Sequence, residues 1–222
     1  MIIAIDGPSG AGKSTLARRL ARELGFIYLD TGAMYRALAL KVLREGIDLS
    51  DDALLVELVT STDIELKDSG GRLEVLLDGR DVAGEIRTPE VSQLASMVSA
   101  LKVVRARMLE LQRAMGRRGS LVAEGRDIGT VIFPDAEIKV FLDASARERA
   151  RRRYEELRAA GSAVEFDATL KEMEERDKRD SERNLAPLRR ADDAMLIDSS
   201  DMGADAVAAM VLAKIENPAK VI

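Results

Sequence analysis

The sequence predicts an α/β fold, a parallel sheet with helices on both faces, and three observations carry that expectation. The chain opens with a short β-branched apolar run, Ile2 to Ile5, closed by Asp6-Gly7-Pro8, the form of a strand buried on both sides. Apolar positions at helical spacing follow at once, Leu16, Ala17, Leu20, Ala21 and Leu24, with Gly25 as the stop. Strand and helix patterns then alternate again, which implies parallel strands joined by crossover helices.

The second strand is expected around Phe26 to Leu29 and the second helix over Ala33 to Arg44, ended by Gly46. Between Asp63 and Thr88 the period changes. Ile64, Leu66, a Ser69-Gly70-Gly71 turn, then Leu73, Val75 and Leu77 alternate as in a β-hairpin, an inserted subdomain. Helices near Glu90 to Ser99 and Val103 to Met115 lead back to strands at Leu121 to Ala123 and Ile138 to Leu142. Two charge-rich helices, near Ala146 to Ala160 and Asp167 to Arg183, precede a last short strand at Ala194 to Ile197 and an Ala-rich final helix. There is no internal repeat.

At 222 residues the chain suits one hydrophobic core. No window approaches the roughly 18 to 20 apolar residues of a membrane span, and no signal-peptide pattern opens the chain, so a cytoplasmic protein without a membrane partner is expected. The chain has no His and no Cys, which removes imidazole bases, thiol nucleophiles and the usual nitrogen and sulfur metal ligands. Catalysis must then run on carboxylates, Lys, Arg, hydroxyls, backbone N–H groups and oxygen-ligated cations such as magnesium. A net charge of -5 argues against nucleic acid as a partner.

Gly7-Pro8-Ser9-Gly10-Ala11-Gly12-Lys13-Ser14 matches the phosphate-loop pattern in full, between the first strand and the first helix, and Thr15 follows it. The glycines let backbone N–H groups turn toward nucleotide phosphates at a helix N-terminus. Lys13, expected on a solvent-facing loop, reaches the outer phosphates, and the Ser14 hydroxyl is offered to Mg2+. GTPases, motor ATPases and small-molecule kinases share this loop. The chain lacks an Asn-Lys-x-Asp guanine-reading motif and a strand ending in Asp-Glu, and its late Arg clusters favour a small-molecule kinase that closes over two substrates.

Asp30-Thr31-Gly32-Ala33-Met34-Tyr35-Arg36 stands at the second strand-to-helix junction, the sheet edge where ligands collect, although plain helix capping reads equally well. Glu124-Gly125-Arg126-Asp127-Ile128-Gly129 again puts charge at a strand end, so Arg36 and Arg126 could converge on one acceptor phosphate. Within Glu175 to Arg183, the residues Arg176, Asp180 and Arg183 share a helical face, which is either a solvated ion-paired surface or a cleft wall. Arg147, Arg149, Arg151, Arg152 and Arg153 are either a clamp on a nucleotide or a basic surface. A chain without His is poorly equipped to deprotonate a hydroxyl, for which Asp30 and Asp127 would be the candidate bases. A phosphate monoester, with a second pKa of about 6, attacks without giving up a proton.

The segments IDGPSGAGKST, LDTGAMYRALAL, GEIRTPEV, EGRDIGTVIFPDAEIKVFLDAS and ERDKRDSER, in this order along nearly the whole chain, resemble the bacterial cytidylate kinases. The resemblance implies transfer of the γ-phosphoryl group of ATP to CMP or dCMP with Mg2+, by a monomer. It implies a single domain, 1–222, made of a core, 1–62 and 101–222, an inserted nucleotide-binding subdomain at about 63–100, and a mobile lid at about 146–165. By similarity Arg36 and Arg126 hold the CMP phosphate and, with Lys13, make up the catalytic set. Ser96, Arg105 and Arg183 read the cytosine edge. Thr31, Asp127, Arg176 and Asp180 touch the pentose. Residues Gly7 to Thr15 and the lid residue Arg152 hold ATP, and Ser14 holds the metal.

Overall fold

The computed structural model of the protein describes residues 1–69 and 72–216. In chain order the first half forms β1 (Ile2–Asp6), α1 (Lys13–Leu24), β2 (Ile27–Asp30), α2 (Thr31–Glu45), α3 (Asp52–Ser61), β3 (Ile64–Ser69), β4 (Arg72–Leu77), β5 (Arg80–Asp81), α4 (Pro89–Val98) and α5 (Lys102–Gly116). Then come β6 (Leu121–Gly125), a π-helical turn (Ile128–Ile132), β7 (Ile138–Asp143), α6 (Ala146–Ala159), α7 (Phe166–Glu182), β8 (Met195–Asp198) and α8 (Ala204–Glu216). The chain divides into two compact units, residues 1–27 with 120–222, and residues 28–119.

In the first unit β6, β1, β7 and β8 lie side by side, all parallel. The register sets Asp6 opposite both Gly125 and Phe141, so β1 and β6 finish level and β7 runs on to Asp143 at the same edge. Ile3, Ala4, Ile5, Leu121, Val122 and Ala123 are fully buried, as expected of strands covered on both sides. Each large side chain here contributes about 1.5–3 kcal/mol by leaving water. Helix α1 packs along β1 and β6 and against α8, presenting the buried stripe Leu16, Ala17, Leu20 and Ala21. Gly25, at φ 66°, stops it in the left-handed region. Helices α6 and α7 pack on each other, with the Tyr154 and Phe166 rings edge to face, 6.0 Å between centroids.

The second unit is built on an antiparallel sheet, β3-β4-β5, in which Ile64 pairs with Leu77 and Leu66 with Val75. The expected hairpin is therefore joined by a third short strand, and its Gly70-Gly71 turn lies outside the described residues. Helix α3 is not anticipated by the alternation of strand and helix patterns. It is capped by Asp51, which accepts from Ala53 and Leu54 N–H, and it buries Leu55, Leu58 and Val59. Helices α2, α3 and α5 belong with this sheet, because α2 packs on β3, β4, α4 and α5, and α3 packs on α5. The unit thus spans 28–119, where the sequence suggests an insertion of about 63–100.

Candidate functional site

The loop between β1 and α1 is shaped by what its glycines permit. Gly7 has φ 147°, and a Cβ there would stand 1.9 Å from the Leu142 carbonyl oxygen, so any side chain would push the loop off β7. Helix α1 starts at Lys13, which leaves the N–H groups of its first turn free of intrahelical partners, a ready anion site. Lys13 itself is 6% exposed, and its Nζ donates to the Pro8 carbonyl at 2.5 Å. The expectation of a solvent-facing lysine is thus corrected, since Lys13 is buried and its ammonium turns back onto the loop. Burial, and then the Arg126 charge, pushes its ammonium down to about 7, with Glu124 opposing and Arg176 reinforcing.

The end of β6 supplies the facing wall. Arg126 Nε donates to Asp180 Oδ2 at 2.9 Å, and Arg176 Nε lies 3.9 Å from the same oxygen. Burial works to raise the Asp180 carboxyl, but Arg126, Arg176 and Arg183 outweigh it and hold it below the usual carboxylate range. Arg183 Nη2 is 3.4 Å from Asp127 Oδ1, and its Nε donates to the Ala186 carbonyl at 2.7 Å. Helix α7 ends at Glu182, so Arg183 sits on extended backbone beyond the helix, and the shared helical face holds for Arg176 and Asp180 only. The Asp6 carboxylate accepts from Ile128 and Gly129 N–H, both at 2.8 Å, fixing the π-helical turn behind Arg126 and Asp127. Burial pushes its pKa up to about 6 against those two bonds.

Lys13, Arg126, Asp127, Arg176, Asp180 and Arg183 are therefore gathered within the first unit. Glu124, which the motif reading quoted without assigning it a role, belongs with them. It is buried, and Ser14 Oγ donates to its Oε2 at 2.9 Å. The signal was an acid at the end of a fully apolar strand. A hydroxyl and a carboxylate beside a phosphate loop suit Mg2+, which takes few protein oxygens and completes its shell with phosphates and water. Among the described residues no group of three or more His, Cys, Asp or Glu forms a fuller cage.

In the second unit Asp30 caps α2 by accepting from Ala33 N–H at 2.8 Å, and it also pairs with Arg36 Nη2 at 3.1 Å. Capping and charge placement are thus one feature. The helix begins at Thr31, two residues earlier than its apolar period suggests, because that cap acts there. A Cβ on Gly32 would come within 2.9 Å of Arg36 Nη1, so the missing side chain is what lets the guanidinium lie back over the helix start. Arg105 Nη1 is 3.4 Å from the Tyr35 hydroxyl and 3.3 Å from the Ser99 carbonyl. Thr31 and Ser96 are buried, on α2 and α4.

A cavity of about 420 Å³ opens in the first unit beside Gly12 and Thr15, walled by Glu148 and Arg152 of α6 and by the segment Ser199 to Met202. The α6 arginines sort by partner. Arg149 is buried and donates to the Ser9 carbonyl at 3.2 Å and to Asp177 at 2.5 Å. Arg147 lies over the Phe166 ring at 5.8 Å, and Arg153 reaches Glu156. Arg151 and Arg152 share Glu148, and the Arg151 hydrogen bond, then that of Arg152, pulls its carboxyl down to about 2.

The family model described as cytidylate kinase matches residues 3–217. A cytidylate kinase of Pelotomaculum thermopropionicum is 55% identical over 214 residues, 96% of this chain and 95% of the relative. The chain belongs to the cytidylate kinase family. A second member, from Syntrophotalea carbinolica, is also 55% identical, over 93% of this chain and 88% of its own. A crystal structure of an uncharacterized protein from Eubacterium ventriosum shares the fold, with TM-score 0.50 at 17% identity over 98% of this chain and 99% of the other. Membership of the cytidylate kinase family makes the chain an ATP-dependent nucleoside monophosphate kinase.

Proposed function

We propose that this chain transfers the γ-phosphoryl group of ATP to the phosphate of CMP or dCMP, giving ADP and CDP or dCDP. The observation that carries the reading is the cluster at the phosphate loop, where buried Lys13 lies within the field of the part-buried Arg126 and Arg176. Guanidinium and ammonium groups gathered at a phosphate loop are the donors that two negatively charged phosphates require. Asp127 and Asp180 hold the guanidinium groups in place beforehand, so little reorganisation accompanies reaction.

In this reading the acceptor phosphate is already ionised and needs no base, consistent with a chain without His. Gly7 to Thr15 wrap the donor phosphates, Lys13 neutralises charge on the transferred group, and Arg152 meets the donor from the lid at about 146–165. Arg36 and Arg126 bind the acceptor phosphate. Ser96, Arg105 and Arg183 read the cytosine, and Thr31, Asp127, Arg176 and Asp180 touch the pentose. Ser14, with Glu124 beside it, would hold Mg2+, which when bound supplies charge neutralisation between the phosphates. The subdomain at about 63–100 carries the acceptor. The reading asks for no second copy of the chain and no nucleic acid. No helix among the described residues is long and apolar enough to cross a membrane, and a cytoplasmic site of action follows from ATP as donor.

The deciding experiment follows ADP release with ATP and Mg2+ while CMP, dCMP, UMP, AMP, GMP or no acceptor is supplied. Fast turnover confined to CMP and dCMP is expected. Release of ADP that ignores the acceptor would overturn the proposal.

A further inference from the structure

We infer that Ser199 is a positioning residue for the phosphoryl donor, its buried hydroxyl fixing the Arg152 guanidinium against the phosphate loop. The inference rests on the donor reading above and goes beyond it. Ser199 follows β8, is 3% exposed, and joins parts of the first unit that are far apart in the chain. Its N–H donates to the Asp143 carbonyl at the end of β7, at 2.8 Å. Its Oγ lies 3.0 Å from that carbonyl and 3.0 Å from the Ala11 carbonyl, 188 residues away inside the phosphate loop.

A hydroxyl has one proton, so Ser199 gives it to one of these carbonyls at a time and keeps its lone pairs for a donor. That donor is Arg152, whose Nη1 lies 3.2 Å from Oγ while its Nη2 donates to the Ser199 carbonyl at 2.7 Å. The same carbonyl accepts from Met202 N–H at 3.3 Å, which turns the segment 199–202 around the cavity. Glu148 takes Arg152 Nε at 2.9 Å. A guanidinium carries five N–H groups, and one on each nitrogen is spent on this frame. The others remain for phosphate oxygens, from a fixed position beside Gly12, where a Cβ would lie 3.9 Å from Nη1.

The alternative is that Ser199 merely packs the loop after β8. Ser199→Ala would then lower stability without favouring one substrate over the other. If Ser199 acts through Arg152, its loss removes the Nη1 acceptor and the tie to Ala11 while leaving the backbone contact at Nη2 in place.

The test compares wild type, Ser199→Ala, Arg152→Ala and the double variant. ATP Kd is measured by titration calorimetry without any acceptor, followed by KM for ATP and for CMP and by Tm. Ser199→Ala is expected to weaken ATP about tenfold with KM for CMP unchanged, and to cost nothing further in the Arg152→Ala background. An ATP Kd within about twofold of wild type, losses that add in the double variant, or equal losses for ATP and CMP that follow a lowered Tm would each overturn the inference. The ATP titration does not involve the acceptor, so a wild type that binds ATP yet ignores CMP would sink the acceptor proposal alone.

Discussion

Ser14 Oγ donates to Glu124 Oε2 at 2.9 Å across 110 residues of chain, which ties the first residues of α1 to the end of β6. The pair stands beside Lys13, whose ammonium Glu124 helps to keep charged.

Glu124→Gln keeps the shape and removes the charge. It is expected to cost about 10- to 100-fold in kcat and in metal affinity, with the half-saturating Mg2+ concentration raised. Titration of Mn2+ into the ATP complex, followed by electron paramagnetic resonance, checks the metal separately from turnover. Unchanged Mn2+ affinity would remove Glu124 from the metal site.

Lys13→Ala is expected to lower kcat at least about a hundredfold while the fold persists. Because Lys13 is buried among Arg126 and Arg176, losing its charge relieves repulsion, and Tm should equal or exceed that of wild type. A variant with near-normal turnover would end the assignment of the phosphate loop.

The lowered Lys13 pKa also sets a pH dependence. The folded group releases its proton near pH 7 and the unfolded group near 10.5, so between these values the unfolded chain binds more protons and this lysine's contribution to stability rises with pH. Phosphates of ATP favour the ammonium, so ATP binding at about pH 8 should take up close to one proton and weaken as pH rises further. Calorimetry in buffers of different ionisation enthalpy measures the uptake. The same result for wild type and Lys13→Ala would show that another group is responsible.

Arg183→Ala should raise KM for CMP about tenfold or more and leave KM for ATP within about twofold, because the side chain is held by Asp127 and Ala186 beyond the end of α7. Steady-state kinetics with each substrate varied in turn makes the comparison. Equal losses for both substrates would return Arg183 to a purely structural role.

Gly32→Ala places a Cβ 2.9 Å from Arg36 Nη1 and 3.2 Å from Asp30 Oδ1, so the guanidinium must move while the helix, at an ordinary φ, remains. KM for CMP should rise by about tenfold with Tm nearly constant. A variant that binds CMP normally would show that the position of Arg36 over the helix start does not matter.

The sequence by itself determined the phosphate loop, the buried runs of β1 and β6, the stops at Gly25 and Gly46, and, through the missing His and Cys, that no imidazole or thiol takes part in the chemistry. These are local signals, in which a period or a turn residue is read within a dozen positions. Tertiary structure alone decided that Lys13 is buried, that Asp180 stands between Arg126 and Arg176, that Ser14 faces Glu124 and that Ser199 reaches Ala11. It also decided that α2, α3 and α5 pack with the hairpin in one unit. The reason is register, since the parallel alignment of Asp6 with Gly125 and Phe141 brings distant strand ends together. A one-residue slip would turn every side chain of β6 to the other face, and the hydrophobic pattern of a strand buried on both sides does not choose between the two.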